Sequence, residues 1–189
     1  MNRREALAGI ASLGALGTGG VIATTGLPSL GPGDDASPPQ LEESTTVETF
    51  DLPWTDGEPV TVPQAGSVLL LEFWATWCSV CQAHLPKVTA AHEQVGDDVQ
   101  FLSITSETVG PDAQVTVSDI EAWWREHGGG EWAIGYDPTV RLKTRLGALA
   151  TPGYAVIDAD GVTRWVDQGR VPTATLLEEI EGAGGTVDA

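Results

Sequence analysis

The sequence predicts an α/β fold, in which one central β-sheet carries helices on both of its faces. Two short, almost continuous apolar runs, residues 68–74 and 99–105, are typical of strands buried on both faces of a parallel sheet. Segments with the apolar spacing of helices lie between and after them. The predicted order is strand, helix, strand, helix, helix, a pair of strands and a final helix, which is a mixed α/β arrangement.

Local signals place the helices. The segment after the two cysteines has helical spacing, and Pro86 is expected to kink it. A second helix, "SDIEAWWREH", is predicted to start with Ser118 as its N-cap and to stop at three glycines. A third, "PTVRLKTRLG", has Pro138 at its start, and "TATLLEEIEG" closes the domain as an amphipathic helix.

The clearest strand signal is a β-hairpin near the end of the chain. The segment "GYAVIDADGVTRWVDQG" contains two apolar strands joined by a turn at Asp160-Gly161. Upstream, "WAIGYD" indicates a short strand or an extended segment. Together with residues 68–74 and 99–105, these strands are expected to form one sheet.

The first 27 residues are predicted to be an export signal or a membrane anchor. Arg3 and Arg4 precede an uncharged, weakly apolar and glycine-rich stretch, which is similar to a twin-arginine signal for the export of folded proteins. Because the uncharged stretch is long enough to span about 30 Å of hydrocarbon, an uncleaved anchor stays open. Either interpretation places the rest of the chain outside the cytoplasmic membrane, secreted or anchored, with membrane contact only through this segment.

Residues 28–46 are predicted to be a linker, and residues 47–185 the folded domain. The linker contains four prolines and an acidic run, with no periodic apolar pattern. The domain contains all the predicted strands and helices.

The charge of the chain excludes one class of partner. It has 27 acidic and 9 basic residues, a formal net charge of −18, and only two lysines, Lys87 and Lys143. Nucleic acid binding needs clustered positive charge, so the sequence argues against it. An acid-rich surface with few lysines resembles that of proteins from salt-loving organisms. The alternative is an ordinary acidic protein.

Cys78 and Cys81 are the only cysteines and form a Cys-x-x-Cys pair, for which three interpretations compete. As a structural staple, the pair would close so short a loop that the entropic stabilisation is small. As a metal site, it supplies two thiolates, and His84 extends the pattern to Cys-x-x-Cys-x-x-His. Because a closed zinc site needs four ligands, these three residues would need a fourth ligand from elsewhere in the chain. A copper- or zinc-binding module stays as the alternative to redox chemistry.

A redox role needs only the two cysteines and the elements around them. A strand followed by a helix places Cys78 at a helix N-terminus, where the helix dipole favours a thiolate. Cys81 lies one turn further along the same helix face, within disulfide reach. Attack by Cys78 on a substrate disulfide would give a mixed disulfide, which Cys81 would resolve.

The surroundings of the cysteines carry a family resemblance. The segment "EFWATWCSVCQAHLP" closely resembles the active-site segment of the thioredoxin superfamily, and "FWATWC" is most similar to exported or membrane-associated TlpA/ResA-like thiol-disulfide oxidoreductases. Seventy residues on, "ATPGYAVIDADG" resembles the cis-proline loop and hairpin of that family. The resemblance covers roughly residues 47–182. It implies a thioredoxin fold, with a central mixed β-sheet flanked by helices and a TlpA-like central helical insertion.

The resemblance also implies roles for individual residues. Cys78 would be the nucleophile and Cys81 the resolving thiol, and the two would form a redox-active disulfide. Pro152 would be the cis-proline that faces them, a rare conformation that implies a requirement. The backbone of Thr151 would then offer strand-like hydrogen bonds to an extended substrate segment. No cofactor is implied.

Glu72 and Trp77 complete the predicted site. Glu72 falls six residues before Cys78, where thioredoxins have a buried acid; burial would raise its pKa, so that it could relay a proton to or from Cys81. The alternatives are a side chain that reaches solvent or one paired with Lys87 or an arginine. Trp74 and Trp77 are expected to be packing residues, and Trp77 also to shape the rim of the substrate site.

The resemblance implies partners as well. Proteins with thiols or disulfides would be the substrates, and a membrane electron donor would supply a reductant that serves apocytochromes or cupredoxin-like targets. An oxidant of newly exported proteins is the alternative. Because the dipeptide Ser79-Val80 lacks the proline that many relatives have between the cysteines, the direction of electron flow stays open.

Overall fold

The computed structural model describes residue 41 and residues 44–188. The predicted signal or anchor, residues 1–27, lies outside the described residues, as does most of the predicted linker. Within the described part of the chain, no helix is both long enough and apolar enough to cross a membrane.

Short strands and helices alternate along the described chain. The strands are β1 Thr45–Thr49, β2 Asp51–Leu52, β3 Thr55–Asp56, β4 Val60–Val62, β5 Val68–Trp74, β6 Val99–Thr105, β7 Ala133–Tyr136, β8 Gly153–Ile157 and β9 Thr163–Gln168. The helices are α1 Ser79–His92, α2 Val117–Glu126, α3 Arg141–Leu146 and α4 Thr173–Gly182.

Seven of these strands form one mixed sheet in the order β4-β1-β7-β6-β5-β8-β9, and β2 pairs with β3 alone. Strands β5, β6 and β7 are parallel, while β8 runs antiparallel to β5 and β9 antiparallel to β8. Every residue of β5 is buried, because this strand lies inside the sheet and both of its faces are covered. The predicted α/β fold with a mixed central sheet is confirmed.

Alternate side chains of β5 point into two separate cores. On one face, Leu70 and Trp74 pack in the cluster that contains Leu85 of α1 and Leu176 of α4. On the other face, Leu69, Leu71 and Phe73 pack with Leu142 and Leu146 of α3. Because side chains alternate along a strand, Glu72 shares the face of Leu70 and Trp74, beneath α1.

Two helix starts differ from the prediction. Helix α2 is capped by Thr116 rather than Ser118: the Thr116 hydroxyl accepts the Asp119 N–H at 3.2 Å, and the Asp119 carboxylate accepts the Thr116 N–H at 2.9 Å. This reciprocal pair satisfies two backbone donors, which explains why it determines the start. Helix α3 begins at Arg141 rather than at Pro138, after Val140 in a left-handed conformation with φ 51°.

The first four strands were not predicted. Strand β1 starts at Thr45, two residues before the predicted domain boundary, and pairs with β7 at the position of Glu48 and Tyr136. Its burial alternates between exposed and buried residues, and its sequence, "TTVET", has a single apolar side chain. Such short segments give little periodic signal, so only the pairing with the rest of the sheet defines them.

Candidate functional site

Cys78 and Cys81 lie at the start of α1, directly beyond the end of β5. Cys78 is the N-cap of the helix, and its Sγ accepts the backbone N–H of Cys81 at 3.1 Å. The two sulfurs form a disulfide of 2.15 Å, and both residues are buried. The free backbone N–H groups at the start of a helix favour negative charge, so they stabilise an anionic sulfur at Cys78 when the disulfide is reduced.

The loop of residues 75–77, which leads to Cys78, is held by two neighbouring elements. Glu107 accepts the Thr76 N–H at 2.7 Å and the Thr76 hydroxyl at 2.6 Å. From α2, the Trp123 indole N–H donates to the Thr76 carbonyl at 3.0 Å. Every polar group of Thr76 therefore has a partner, and the loop has a defined position before Cys78.

Glu107 and Trp123 were missed by the sequence reasoning. Glu107 follows the end of β6, which is parallel to β5. The carboxyl ends of neighbouring parallel strands meet at one edge of the sheet, so an acid just after β6 was a usable signal for a contact with the loop after β5. No pattern in the sequence indicates the contact of Trp123.

Glu72 is only 2% exposed and lies in the layer between the sheet and α1. One carboxyl oxygen accepts the Ser103 hydroxyl at 2.7 Å, and that hydroxyl accepts the Trp132 indole N–H at 3.0 Å. The other oxygen has no hydrogen-bond partner within residues 44–188. Burial raises the pKa of Glu72 to about 7, and the Ser103 hydrogen bond opposes part of this rise. The solvent-exposed and ion-paired alternatives for Glu72 are therefore wrong.

The loop around Pro152 lies at the same end of the sheet as the cysteines. The Thr151–Pro152 peptide bond is cis, and β8 begins directly after it. Gly153 pairs with Phe73, near the end of β5. A cleft of about 240 Å³ is lined by Trp77 on the loop before Cys78 and by Thr151 on the loop before Pro152, so the fold brings these two predicted site residues together.

The two tryptophans near the cysteines have different roles. Trp74 is 2% exposed, and its ring lies 4.5 Å from that of Trp123, centroid to centroid, so it is a packing residue as predicted. Trp77 is 72% exposed. The expectation that Trp77 packs is wrong, since it directly follows the tethered residue Thr76 and projects beside the cleft.

His84 is buried in α1 and engaged on both sides of its ring. Its Nδ1 lies 2.7 Å from the Tyr154 hydroxyl, and its Nε2 lies against the backbone N–H and carbonyl of Val171. Burial raises the pKa of Tyr154, so the phenol stays protonated, and its hydroxyl is hydrogen-bonded to Nδ1 of the imidazole. Burial also lowers the pKa of His84. Both ring nitrogens are thus occupied, which disfavours His84 as a metal ligand in the Cys-x-x-Cys-x-x-His interpretation.

The described residues contain no group of three or more histidine, cysteine or acidic side chains placed to hold a metal ion. Together with the partners of His84, this gives the metal-binding alternative no observed ligand set.

The His84–Tyr154 contact gives a stability prediction. We expect Tyr154→Phe to lower the free energy of unfolding by about 1–3 kcal/mol, because the buried imidazole loses its hydrogen-bond partner. Urea unfolding of the oxidised protein measures this. Tyr136→Phe is the control, since its hydroxyl makes no hydrogen bond within the described chain and its ring stacks on Phe50. Equal losses in the two variants would contradict the prediction.

Comparison with known proteins identifies the family. The family model described as Redoxin matches residues 42–183, which is most of the chain. The chain belongs to the Redoxin family. This Redoxin-family chain is similar to the thiol:disulfide interchange protein DsbE of Xylella fastidiosa, strain Temecula1, with 24% identity over 139 residues, 72% of this chain and 66% of the relative.

A second relative is the sporulation thiol-disulfide oxidoreductase A of Bacillus subtilis. It is 26% identical over 74 residues, which cover 39% of this chain and 45% of that protein. The Redoxin-family chain therefore spans two thirds or less of the length of these two curated relatives.

Solved structures confirm the thioredoxin fold of the Redoxin-family chain. StoA from Bacillus subtilis superposes with a TM-score of 0.58 at 18% identity, over 75% of this chain and 98% of StoA. The exposed lipoprotein thioredoxin Etrx1 from Streptococcus pneumoniae superposes with a TM-score of 0.60 at 23% identity, over 74% and 99% of the two chains. At this identity the likeness concerns the fold.

Proposed function

We propose that this Redoxin-family protein is an exported thiol-disulfide oxidoreductase that exchanges disulfides with other proteins through Cys78 and Cys81. The observation that carries the proposal is the disulfide across the first turn of α1, with the Cys78 sulfur at the N-cap position. The similarity to two curated relatives, a thiol:disulfide interchange protein and a thiol-disulfide oxidoreductase, supports it.

Reduction of a substrate would take two exchange steps. The Cys78 thiolate attacks one sulfur of the substrate disulfide; the substrate S–S bond breaks, a mixed disulfide forms, and the leaving substrate sulfur takes up a proton. Cys81 then loses its proton and attacks the Cys78 sulfur, which releases the second substrate thiolate. The substrate gains two electrons, and the pair Cys78 and Cys81 ends as the disulfide.

In the second step, we assign to Glu72 the role of accepting the proton that Cys81 loses. Both residues lie in the layer between the sheet and α1, and one carboxyl oxygen of Glu72 has no partner within residues 44–188. A carboxyl with a pKa of about 7 is half-ionised at neutral pH, so it can both accept and return a proton.

The loop at Pro152 and the rim at Trp77 are assigned to substrate binding. An extended substrate segment would lie along the Thr151 backbone, beside the sulfurs, in the manner of an added strand. The exposed ring of Trp77, on the opposite wall of the cleft, would cover the segment.

The direction that we propose is reduction, with re-reduction of the disulfide by a membrane electron donor. Apocytochromes or cupredoxin-like proteins are the proposed targets, by the resemblance to TlpA/ResA-like proteins. Export through residues 1–27 would place the site where such targets mature. N-terminal sequencing of the protein from its native host distinguishes a cleaved signal from a retained anchor.

The test is the midpoint potential of the Cys78/Cys81 couple, measured by equilibration in thiol–disulfide buffers at high salt. We expect a two-electron couple below about −230 mV, which is typical of a reductant. A value of about −120 to −180 mV would instead indicate an oxidant or isomerase. If no two-electron couple is found, and stoichiometric copper or zinc is lost in Cys78→Ser, the metal-binding alternative replaces this proposal.

A further inference from the structure

Lys143 is a buried cation beside the candidate site. It lies on α3, is 9% exposed, and its Nζ donates a hydrogen bond to the Thr151 hydroxyl at 2.6 Å. The Phe73 ring lies on another side of the ammonium, with its centroid 6.0 Å from Nζ. Lys143 therefore contacts the residue directly before Pro152.

The charge environment of Lys143 is unusual for this chain. Acidic residues outnumber basic ones by 27 to 9, yet no carboxylate of the described residues pairs with Lys143; the ion pairs found there are Arg125–Glu121 and Arg164–Asp158. An ammonium has three donors, and within residues 44–188 only one of them has an acceptor. Burying a cation without an anionic partner costs free energy. A functional role for Lys143 would explain why a lysine occupies this position.

Lys143 lines the cleft of about 240 Å³ that separates the loop before Cys78 from the loop before Pro152. Trp77 supplies an apolar wall, and Val140, at 44% exposure, lies on the α3 side. Val140 has a φ of 51°, which is rare for a β-branched residue, and residues in such conformations cluster at functional sites.

Glu107 also lines this cleft, but its carboxylate is engaged. It accepts the Thr76 N–H and hydroxyl and, at 3.1 Å, the Thr105 hydroxyl. Of the two charged side chains that line the cleft, Lys143 is therefore the one whose donors still lack partners.

We infer that Lys143 is a specificity-determining residue, which selects substrates that carry an aspartate or glutamate next to their reactive cysteine. This assignment rests on the proposed thiol–disulfide exchange, and it specifies which class of substrate the protein prefers. A segment laid along the Thr151 backbone presents alternate side chains to its two sides, and one neighbour of the substrate cysteine enters the cleft between Trp77 and Lys143. Its carboxylate accepts a charge-assisted hydrogen bond from Nζ, which supplies the missing anionic partner.

The experiment uses pairs of disulfide peptides that are neutral except at one residue. In one pair, glutamate or glutamine directly precedes the cysteine; in the other pair, it directly follows. Reduction rates are measured with the reduced protein at 1 M salt, where the Debye length of about 3 Å screens the long-range repulsion of acidic peptides by the acidic surface. We expect the wild-type protein to reduce the glutamate peptide of one pair about tenfold faster than its glutamine partner.

Three variants test whether Lys143 causes the preference for the glutamate peptide. Lys143→Met is expected to abolish the preference, and Lys143→Arg to retain it because the positive charge stays. Lys87→Met is the matched control, because it removes the same charge from an exposed position on α1 and should keep the wild-type preference. If Lys143→Met does not fold, Lys143→Gln takes its place.

A small neutral substrate, hydroxyethyl disulfide, separates this inference from the proposed function. We expect the wild-type protein and Lys87→Met to reduce it at rates within about twofold of each other, since Lys87 is exposed and lies outside the cleft. The rate of each Lys143 variant on this substrate normalises its rates on the peptides, so that the preference is read as the ratio between the members of a pair. Equal rates of the wild-type protein on both members of each peptide pair would overturn the assignment, as would a preference that persists without Lys143. Failure of the wild-type protein to exchange thiols with any disulfide would overturn the proposed function instead.

Discussion

Cys78→Ser is expected to abolish disulfide exchange, with a loss on the order of a thousandfold or more, because the variant has no nucleophilic sulfur at the helix N-cap. Cys81→Ser is expected to behave differently. It keeps the nucleophile but lacks the resolving thiol, so covalent complexes with substrate proteins should accumulate. Electrophoresis without reducing agent detects these complexes, and added dithiothreitol should release them.

Ser79→Ala is the control for this pair of variants. Ser79 lies between the cysteines and is exposed, so its replacement should leave the exchange rate within a few-fold of the wild-type rate. Trapped complexes in Cys78→Ser rather than in Cys81→Ser would reverse the assigned roles. Undiminished exchange in Cys78→Ser would contradict the site altogether.

Glu72→Gln is expected to have the second largest effect, and it acts on both catalysis and stability. The glutamine cannot accept the proton of Cys81, so the resolving step should slow about a hundredfold. The wild-type rate should rise as the pH passes about 7, where the Glu72 carboxyl loses its proton, and this inflection should be absent in the variant. Single-turnover kinetics at a series of pH values measure the rate of the resolving step and its inflection.

The same substitution should change how stability depends on pH. In the folded protein the pKa of Glu72 is about 7, whereas an unperturbed glutamate has a pKa of 4.5. The contribution of Glu72 to stability is therefore fully present below pH 4.5 and is lost as the pH rises to about 7. Over that window the wild-type protein should lose about 3 kcal/mol relative to Glu72→Gln, at 1.36 kcal/mol per pH unit.

Denaturant unfolding of the oxidised proteins at pH 4.5 and at pH 8 tests the sign of this effect. Glu58→Gln is a suitable control, because Glu58 is exposed and its replacement should leave the difference between the two pH values unchanged. A wild-type stability that increases relative to Glu72→Gln across this window would contradict a buried, protonated Glu72.

The parts of the fold that the sequence predicts are those with a local signal. Strands β5 and β6 are continuous apolar runs, and the β8–β9 hairpin has its turn within the same segment. The cysteine pair is local as well, because two residues three apart at a helix start are neighbours whatever the rest of the chain does. Burial of Glu72 could be predicted because apolar residues flank it on both sides.

Contacts between distant segments could not be predicted in this way. Strands β1 to β4 have few apolar residues and exist through their pairing with each other and with β7. The contact of Glu107 with Thr76 spans 31 positions, and that of His84 with Tyr154 spans 70. The residues around His84 do not specify its partner, and the position of Glu107 after β6 indicates a contact only once β5 and β6 are taken as neighbours in the sheet.

The sequence by itself therefore determined the fold class, the cysteine pair at a helix start and the burial of Glu72, because each depends on the periodicity and spacing of neighbouring residues. The resemblance of the acidic surface to that of salt-loving proteins stays a prediction from composition. Only the tertiary structure decided that Trp77 is exposed, that His84 is a satisfied core residue and that Lys143 lies beside Thr151. Burial and hydrogen bonding depend on what the packed sheet and helices bring to each side chain, and that is a property of the whole fold.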